Sequence, residues 1–237
     1  MLVPITRQKF EQLIPLIATG PQYAYFWGNL QDFLKRLLIS VIAVVGVLLL
    51  KLFFGSGFDG LVLILGIIAA LYWLWGPVYW ATMRNLEMRR YEYSGFWRGR
   101  VVDVYVTEDL IGTEETVNNR GELVIVENRE RRLNVDVEDE TGFATQLQVP
   151  LRRIHKGIAA GQVAEMLVMS YQPDLGRIAK TSDIYIPSLN RWVSDYPYLQ
   201  REVFTQVSRK LSKVEADDYP EDDYPEDRVV KTKRRRR

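Results

Sequence analysis

Across 237 residues, 31 lysines and arginines nearly cancel 30 aspartates and glutamates, leaving a formal charge of +1; this excludes a polyelectrolyte and gives no overall sign of nucleic-acid binding. Cysteine is absent, so disulfides, thiolate metal sites and cysteine nucleophiles are excluded. With His155 as the single histidine, a histidine metal cluster is excluded too.

Residues 1–36 read as an amphipathic membrane-surface segment. Phe10, Leu13, Ile14 and Ile17 recur at helical spacing and stop at Thr19-Gly20-Pro21. Tyr23, Tyr25, Phe26 and Trp27 follow, either as interfacial anchors or as a surface that docks on another membrane protein. Asn29 is a candidate helix N-cap, with Asp32 in the first turn.

Residues 37–80 read as a transmembrane helical hairpin with spans 37–54 and 61–80, separated by Gly55-Ser56-Gly57-Phe58-Asp59-Gly60. At 1.5 Å of rise per residue the spans cover roughly 27 and 30 Å, close to the hydrocarbon thickness of a bilayer. A soluble core helix keeps a polar face, and Val41 to Leu50 has none. The run starts too far into the chain, and is too long, for a secretory signal. Lys51 lies one turn from the loop, where its ammonium can reach the interface. Ala43, Gly46, Gly66, Ala69 and Ala70 are small residues at the depths where a close helix pair needs them. Lys35 and Arg36 before the hairpin, and Arg84, Arg89, Arg90, Arg98 and Arg100 after it, predict that both termini are cytoplasmic or stromal. Trp75, Tyr79 and Trp80 would anchor that face, with Gly76-Pro77 loosening the last turn. Tyr72 and Trp73 sit deeper, available to lipid, a partner helix or a pigment.

Residues 81–94 read as a helical stalk and 95–214 as a cytoplasmic β-rich domain with helices. Val102, Val104 and Val106 alternate with polar neighbours, as do Leu133, Val135 and Val137, and then Phe143, Thr145, Leu147 and Val149; Leu123 to Val126 is β-branched. The corners Asn118-Asn119-Arg120-Gly121 and Asp139-Glu140-Thr141-Gly142 predict an antiparallel meander. Val163, Met166 and Leu167 suggest a covering helix over 159–170, Ser182 to Pro187 another short strand, and Val203, Phe204, Val207 and Leu211 a last helix over 197–214 that docks on the barrel or the membrane. The predicted fold is therefore membrane α+β: an N-terminal transmembrane hairpin followed by an antiparallel β-meander or small barrel with covering helices. Residues 215–237 repeat an acidic Tyr-Pro unit and end in Lys231-Thr232-Lys233-Arg234-Arg235-Arg236-Arg237, a composition that cannot bury a core. These blocks pair with each other, meet anionic lipid or an acidic partner, or form an added end.

No enzyme signature is present, and no cofactor or metal is expected. His155 reads as an exposed polar residue, Gly157 to Gly161 as a helix start, and Glu108, Asp109, Glu114, Glu115, Asp136, Glu138, Asp139 and Glu140 as turn and solvent-face carboxylates. The candidate partner-binding set is Trp97, Arg98, Arg100, Arg129, Arg131, Arg132, Arg152 and Arg153, at strand ends and turns, because arginine with tryptophan is enriched at hot spots; a solvated, ion-paired face is the competing reading. Trp27, Tyr72 and Trp73 form a second candidate set in the membrane.

The runs Ser182-Asp183-Ile184-Tyr185-Ile186-Pro187 and Arg191-Trp192-Val193-Ser194-Asp195-Tyr196-Pro197-Tyr198-Leu199, with the two early spans, resemble cyanobacterial and plastid thylakoid proteins tied to photosystem assembly. The plan is also similar to that of a photosystem I assembly factor. The resemblance covers roughly Phe26 to Val207 and carries no catalytic residue. It implies a non-enzymatic thylakoid helper that acts on an assembly intermediate of photosystem I or II, with photosystem subunits and the bilayer as partners. The alternative is an accessory subunit of a membrane transporter with a cytoplasmic ligand- or protein-binding domain.

Overall fold

The computed structural model describes residues 1–54, 59–117, 121 and 123–218, with backbone alone for Phe54 and 215–218. The centre of the inter-span loop, the Asn118–Arg120 corner and the Tyr-Pro tail from Tyr219 lie outside the described residues.

The elements run β1 (Leu2–Ile5), α1 (Arg7–Leu13), α2 (Gly20–Trp27), α3 (Leu30–Phe54), α4 (Asp59–Ala70), α5 (Tyr72–Arg89), β2 (Tyr93–Val117), β3 (Leu123–Glu138), β4 (Ala144–Pro150), β5 (Val163–Ser170), β6 (Lys180–Thr181), β7 (Ile184–Ile186), β8 (Arg191–Val193) and α6 (Arg201–Asp218). The strands form one antiparallel sheet along the path β4-β3-β2-β5-β7-β8, with β1 on β2 and β6 on β5. The expected meander is β2-β3-β4. The path ends at β4 and β8, so among the described residues it is a curled sheet and not a closed barrel. The chain divides into two compact units, Met1–Arg201 and Glu202–Arg237. In the second, α6 carries Val203, Phe204, Val207 and Leu211 on one stripe and continues to Asp218, inside the stretch read as tail, because no proline or glycine interrupts it.

Alternation explains which side chains enter the core. Leu133, Val135 and Val137 of β3, Val149 of β4, Met166 and Val168 of β5, Ile184 and Ile186 of β7 and Val193 of β8 share one buried cluster with Trp97 and Val101 of β2. A register shift between Val101 and Asp103 turns the following residues over, so Val102 and Val106, expected inside, are exposed and Val104 is half-buried. Trp97 is 0% exposed and lies over Gly99, where an added Cβ would meet the indole and the Glu138 carbonyl. Its Nε1–H donates to Asp139 Oδ2 at 2.7 Å, and its ring meets Phe143 edge-on at 5.8 Å. Asp139 also accepts from Thr141 N (2.9 Å), Thr141 Oγ1 (2.6 Å) and Phe143 N (3.2 Å), closing the corner that Gly142 completes at φ 86°. The other sheet face buries Phe96, Leu167 and Met169, near which α1 supplies Phe10 and Leu13.

Three sequence expectations are corrected. The covering helix over 159–170 is instead β5: Ala164 to Ser170 are all buried, so the strand shows a continuous apolar run instead of alternation, and Glu165 within it is neutralised by Arg98 at 2.7 Å. Gly157 and Gly161 start no helix; both occupy positive φ, at 96° and 86°, in turns. The run 61–80 is not one helix. It breaks at Leu71, where α4 and α5 meet at 75°. Ser40 Oγ captures the Trp73 N–H at 3.1 Å and the Trp75 indole N–H captures the Ile68 carbonyl at 2.9 Å, so side chains satisfy backbone groups that the helix ladder gives up.

Near the chain's start, α3 is long and apolar enough to cross a membrane, while α4 and α5 meet that description only as a bent pair. Packing of α3 on α4 half-buries Ala43, Val44 and Val47 against Val62, Gly66 and Ala69. An added Cβ at Gly46 or Gly66 meets nothing within 4 Å, so the glycines do not mark a close approach. Lys51 pairs with Asp59 at 3.2 Å across the loop.

Asp139 makes the fold's most testable corner. Burial acts to raise its pKa, yet the bonds from Thr141, Phe143 and Trp97 prevail and hold it below the usual carboxylate range. Its contribution is therefore present above the unfolded carboxylate pKa and is lost as pH falls through the lowered value. Asp139→Ala should cost about 1–3 kcal/mol in urea unfolding at pH 7, since it strands the buried indole N–H, and the deficit should shrink in acid.

Candidate functional site

One polar clasp positions the site. Gln22 on α2 and Asn85 on α5 are both fully buried and exchange amide bonds, Gln22 Nε2 to Asn85 Oδ1 at 3.0 Å and Asn85 Nδ2 to Gln22 Oε1 at 2.9 Å. Gln22 Nε2 also reaches the carbonyls of Pro197 (2.9 Å) and Tyr198 (3.3 Å), while Oε1 accepts from Thr19 N at 3.0 Å. Two helices and the 196–198 segment are thus tied at one point. The residues read as a break, Gly20 and Pro21, in fact open α2, because proline suits the first helical turn.

Arg84 lies one residue before Asn85 on α5. Its guanidinium sits over the rings of Tyr196 (4.8 Å), Phe26 (5.5 Å) and Tyr25 (5.7 Å). Aromatic faces hold a cation without consuming its N–H donors. Arg84 lines a cleft of about 520 Å³ whose walls come from Phe143, Thr145 and Leu147 near β4 on one side and from 178–183 and 194–198 on the other. The curl of the sheet brings these walls, from opposite ends of the strand path, to one opening.

Two buried groups in this lining keep unused polar atoms. Asp183 is 2% exposed; Oδ1 accepts from Tyr198 N at 3.2 Å, but Oδ2 has no hydrogen-bond partner. Burial pushes its pKa up to about 7, offset only in part by backbone N–H groups of Tyr198 and Leu199 and by the Arg201 charge. Tyr196 is 2% exposed and its hydroxyl is likewise unpartnered. Burial raises its pKa above the ordinary phenol value, with Arg84 opposing. A carboxyl whose pKa is raised, a phenol and a guanidinium held among aromatic rings make a donor-rich recess. The runs holding Asp183 and Tyr196 carry no site signal in the sequence, since neither burial nor the proximity of Arg84 is written locally.

The expected partner-binding residues are scattered. Trp97 is core, which corrects its reading as a partner-binding residue. Arg98 is bound to Glu165, through Nε at 2.9 Å and Nη2 at 2.7 Å. On the β2–β3 ribbon, Arg129 pairs with Glu127 (2.7 Å), Arg131 with Glu108 (3.8 Å), and Arg132 with Asp109 (3.3 Å) and Glu130 (3.2 Å), as in the solvated-face alternative. Arg100, Arg152 and Arg153 are exposed. In the second set, Trp27 and Trp73 meet edge-on at 6.3 Å, each also against Phe33, so Trp73 packs within the chain; Tyr72 stacks edge-on with Trp75 at 5.1 Å. Arg36 caps α2 by donating to the carbonyls of Phe26 and Trp27. His155, expected to be exposed, is 5% exposed; burial, then the Arg152 charge, lowers its pKa.

A buried carboxyl whose pKa is raised binds its proton more tightly in the folded state, so its contribution is full below the unfolded value near 3.8 and is lost as pH rises through about 7. Asp183→Asn should therefore flatten the fall in stability between pH 5 and 7.5, a slope approaching about 1.4 kcal/mol per unit at most, measured by urea midpoints.

A family model matches residues 3–217. No curated protein and no solved structure matches the chain. The chain, with its clasped helices and recessed cleft, thus belongs to a family of unknown function, DUF8619.

Proposed function

We propose that the protein is a membrane-anchored, non-enzymatic assembly or scaffold factor. One observation carries this reading: the apolar surface that the fold leaves uncovered is concentrated on the α3–α4 hairpin and on the β2–β3 ribbon. On the hairpin, Ile42, Leu48, Leu52, Phe53, Leu63 and Ile64 are all exposed, which a bilayer would cover. α5 leaves α4 at 75° with Trp75, Tyr79, Trp80 and Met83 exposed, a pattern suited to the membrane interface. With the basic residues flanking the hairpin, both termini then lie on the cytoplasmic or stromal side.

The ribbon supplies the contact surface. Beyond Glu108 on β2 and before Arg131 on β3, the two strands pair, among the described residues, only with each other, and Leu110, Ile111, Val117, Leu123 and Ile125 are exposed on them. A two-stranded ribbon with apolar residues and open edges gains stability by packing on another protein. Its client as a photosystem assembly intermediate in the thylakoid rests on the resemblance of 182–187 and 191–199. The second reading, an accessory transporter subunit, is favoured by the cleft in the β domain.

The full chain should float with phosphatidylcholine vesicles and resist extraction at alkaline pH; release by alkali would overturn the anchor. Leu110→Ser with Ile125→Ser should change stability by no more than about 0.5 kcal/mol, as surface substitutions do, while sharply reducing recovery of co-purified membrane subunits read by mass spectrometry. Recovery of photosystem subunits supports the assembly reading, whereas recovery of a multi-span permease supports the other. Undiminished recovery by the double variant would remove the ribbon from the interface.

A further inference from the structure

The cleft beside Arg84 has the composition of a receptor, and it stands independently of the anchoring argument. Arg84 contributes five N–H donors, and among the described residues none is taken up by an acceptor, its contacts being the three aromatic rings. The Tyr196 hydroxyl and Asp183 Oδ2 are buried in the same lining without partners, a situation that costs free energy unless something else supplies the bond. Lys180 adds an exposed ammonium at the rim, and Asp195 is the one other carboxylate in the lining. Phe143 and Leu147 give the opposite side an apolar wall.

We propose that this cleft binds the phosphate group of a small molecule or a lipid head group, held by the Arg84 guanidinium and the Tyr196 hydroxyl with Asp183 sharing one proton with the ligand. A guanidinium fork matches two phosphate oxygens, and the phenol supplies a donor from another direction, which a tetrahedral oxyanion can use. Asp183 would repel a phosphate if both were fully ionised. Burial keeps its carboxyl substantially protonated near neutral pH, so one hydrogen bond forms whether the proton resides on Asp183 or on the ligand. The volume of about 520 Å³ accommodates the phosphate and its attached group, with the apolar wall against the remainder. Both sources of phosphate are within reach. Tyr25 and Phe26, which stack on Arg84, also line a groove with Asp32, Lys35, Arg36 and Trp80 at the head of α3, the side where lipid head groups would lie.

The test is isothermal titration of the full chain in neutral maltoside micelles at pH 6.5, with inorganic phosphate in one arm and dihexanoyl phosphatidylglycerol in the other. Saturable binding of either probe, weakened at least tenfold by Arg84→Gln and several-fold by Tyr196→Phe but unchanged by the remote Lys156→Gln, supports the site. Lipid binding at least tenfold tighter than phosphate assigns a head group; comparable binding assigns a free phosphorylated molecule. Saturable binding of neither probe, or binding undiminished in Arg84→Gln, overturns the proposal. If Arg84→Gln loses its cooperative thermal transition, Tyr196→Phe, which removes one hydroxyl, decides by the same criterion. Flotation of each variant with pure phosphatidylcholine vesicles reads the anchor separately, so loss of phosphate binding and loss of anchoring are distinguishable.

Discussion

The reciprocal amide pair of Gln22 and Asn85 is the joint on which the first unit depends. Each side chain is buried, and an amide removed from water must find partners for its N–H and C=O groups or lose several kcal/mol. Here Gln22 satisfies itself through Asn85, two carbonyls of the 197–198 segment and the Thr19 amide. Geometry that strict admits one relative placement of α2, α5 and that segment. Arg84 is carried along by its neighbour Asn85 and comes to rest against Tyr196.

The same joint ties the apolar hairpin to the sheet, because α5 leaves the hairpin at one end and enters β2 at the other. Its direction is set by the break at Leu71. Without the Ser40 hydroxyl and the Trp75 indole the broken backbone groups would be unpaired in an apolar setting, which is among the costliest arrangements a chain can adopt. With them, about 18 Å of α4 pairs with α3 before the chain turns. The aromatics Trp27, Phe33 and Trp73 gather at that turn and Arg36 stacks on Trp27 at 5.3 Å, giving a polar-apolar seam of the kind found at a bilayer surface.

The cleft is a by-product of sheet curl. β4 and the β6–β7 segment are far apart along the strand path, yet both line it, and there two buried polar atoms without a hydrogen-bond partner share a lining with the Arg84 guanidinium. Elsewhere, one oxygen of the buried Glu165 meets Arg98 at 2.7 Å, and Asp139 meets the Trp97 indole and its own corner. What sets Asp183 and Tyr196 apart is that their unpartnered atoms share one cleft lining with Arg84.

The strands over 133–137 and 143–149, the Asp139 to Gly142 corner, the apolar run of α3 and the lack of cysteine chemistry were legible from the chain alone, because alternation, turn residues and long apolar runs are local patterns. Local pattern misled at 159–170, where a strand buried on both faces has no alternation to display, and at 61–80, where the bend depends on Ser40, thirty or so residues upstream. Trp97 read as a partner-binding candidate because its acceptor, Asp139, is distant in the chain, at the end of the neighbouring strand. The candidate site was the least legible of all. Arg84, Asp183 and Tyr196 come from a helix, a strand end and a loop, and what makes them a site is shared burial and a missing partner, properties that exist only once distant segments pack together.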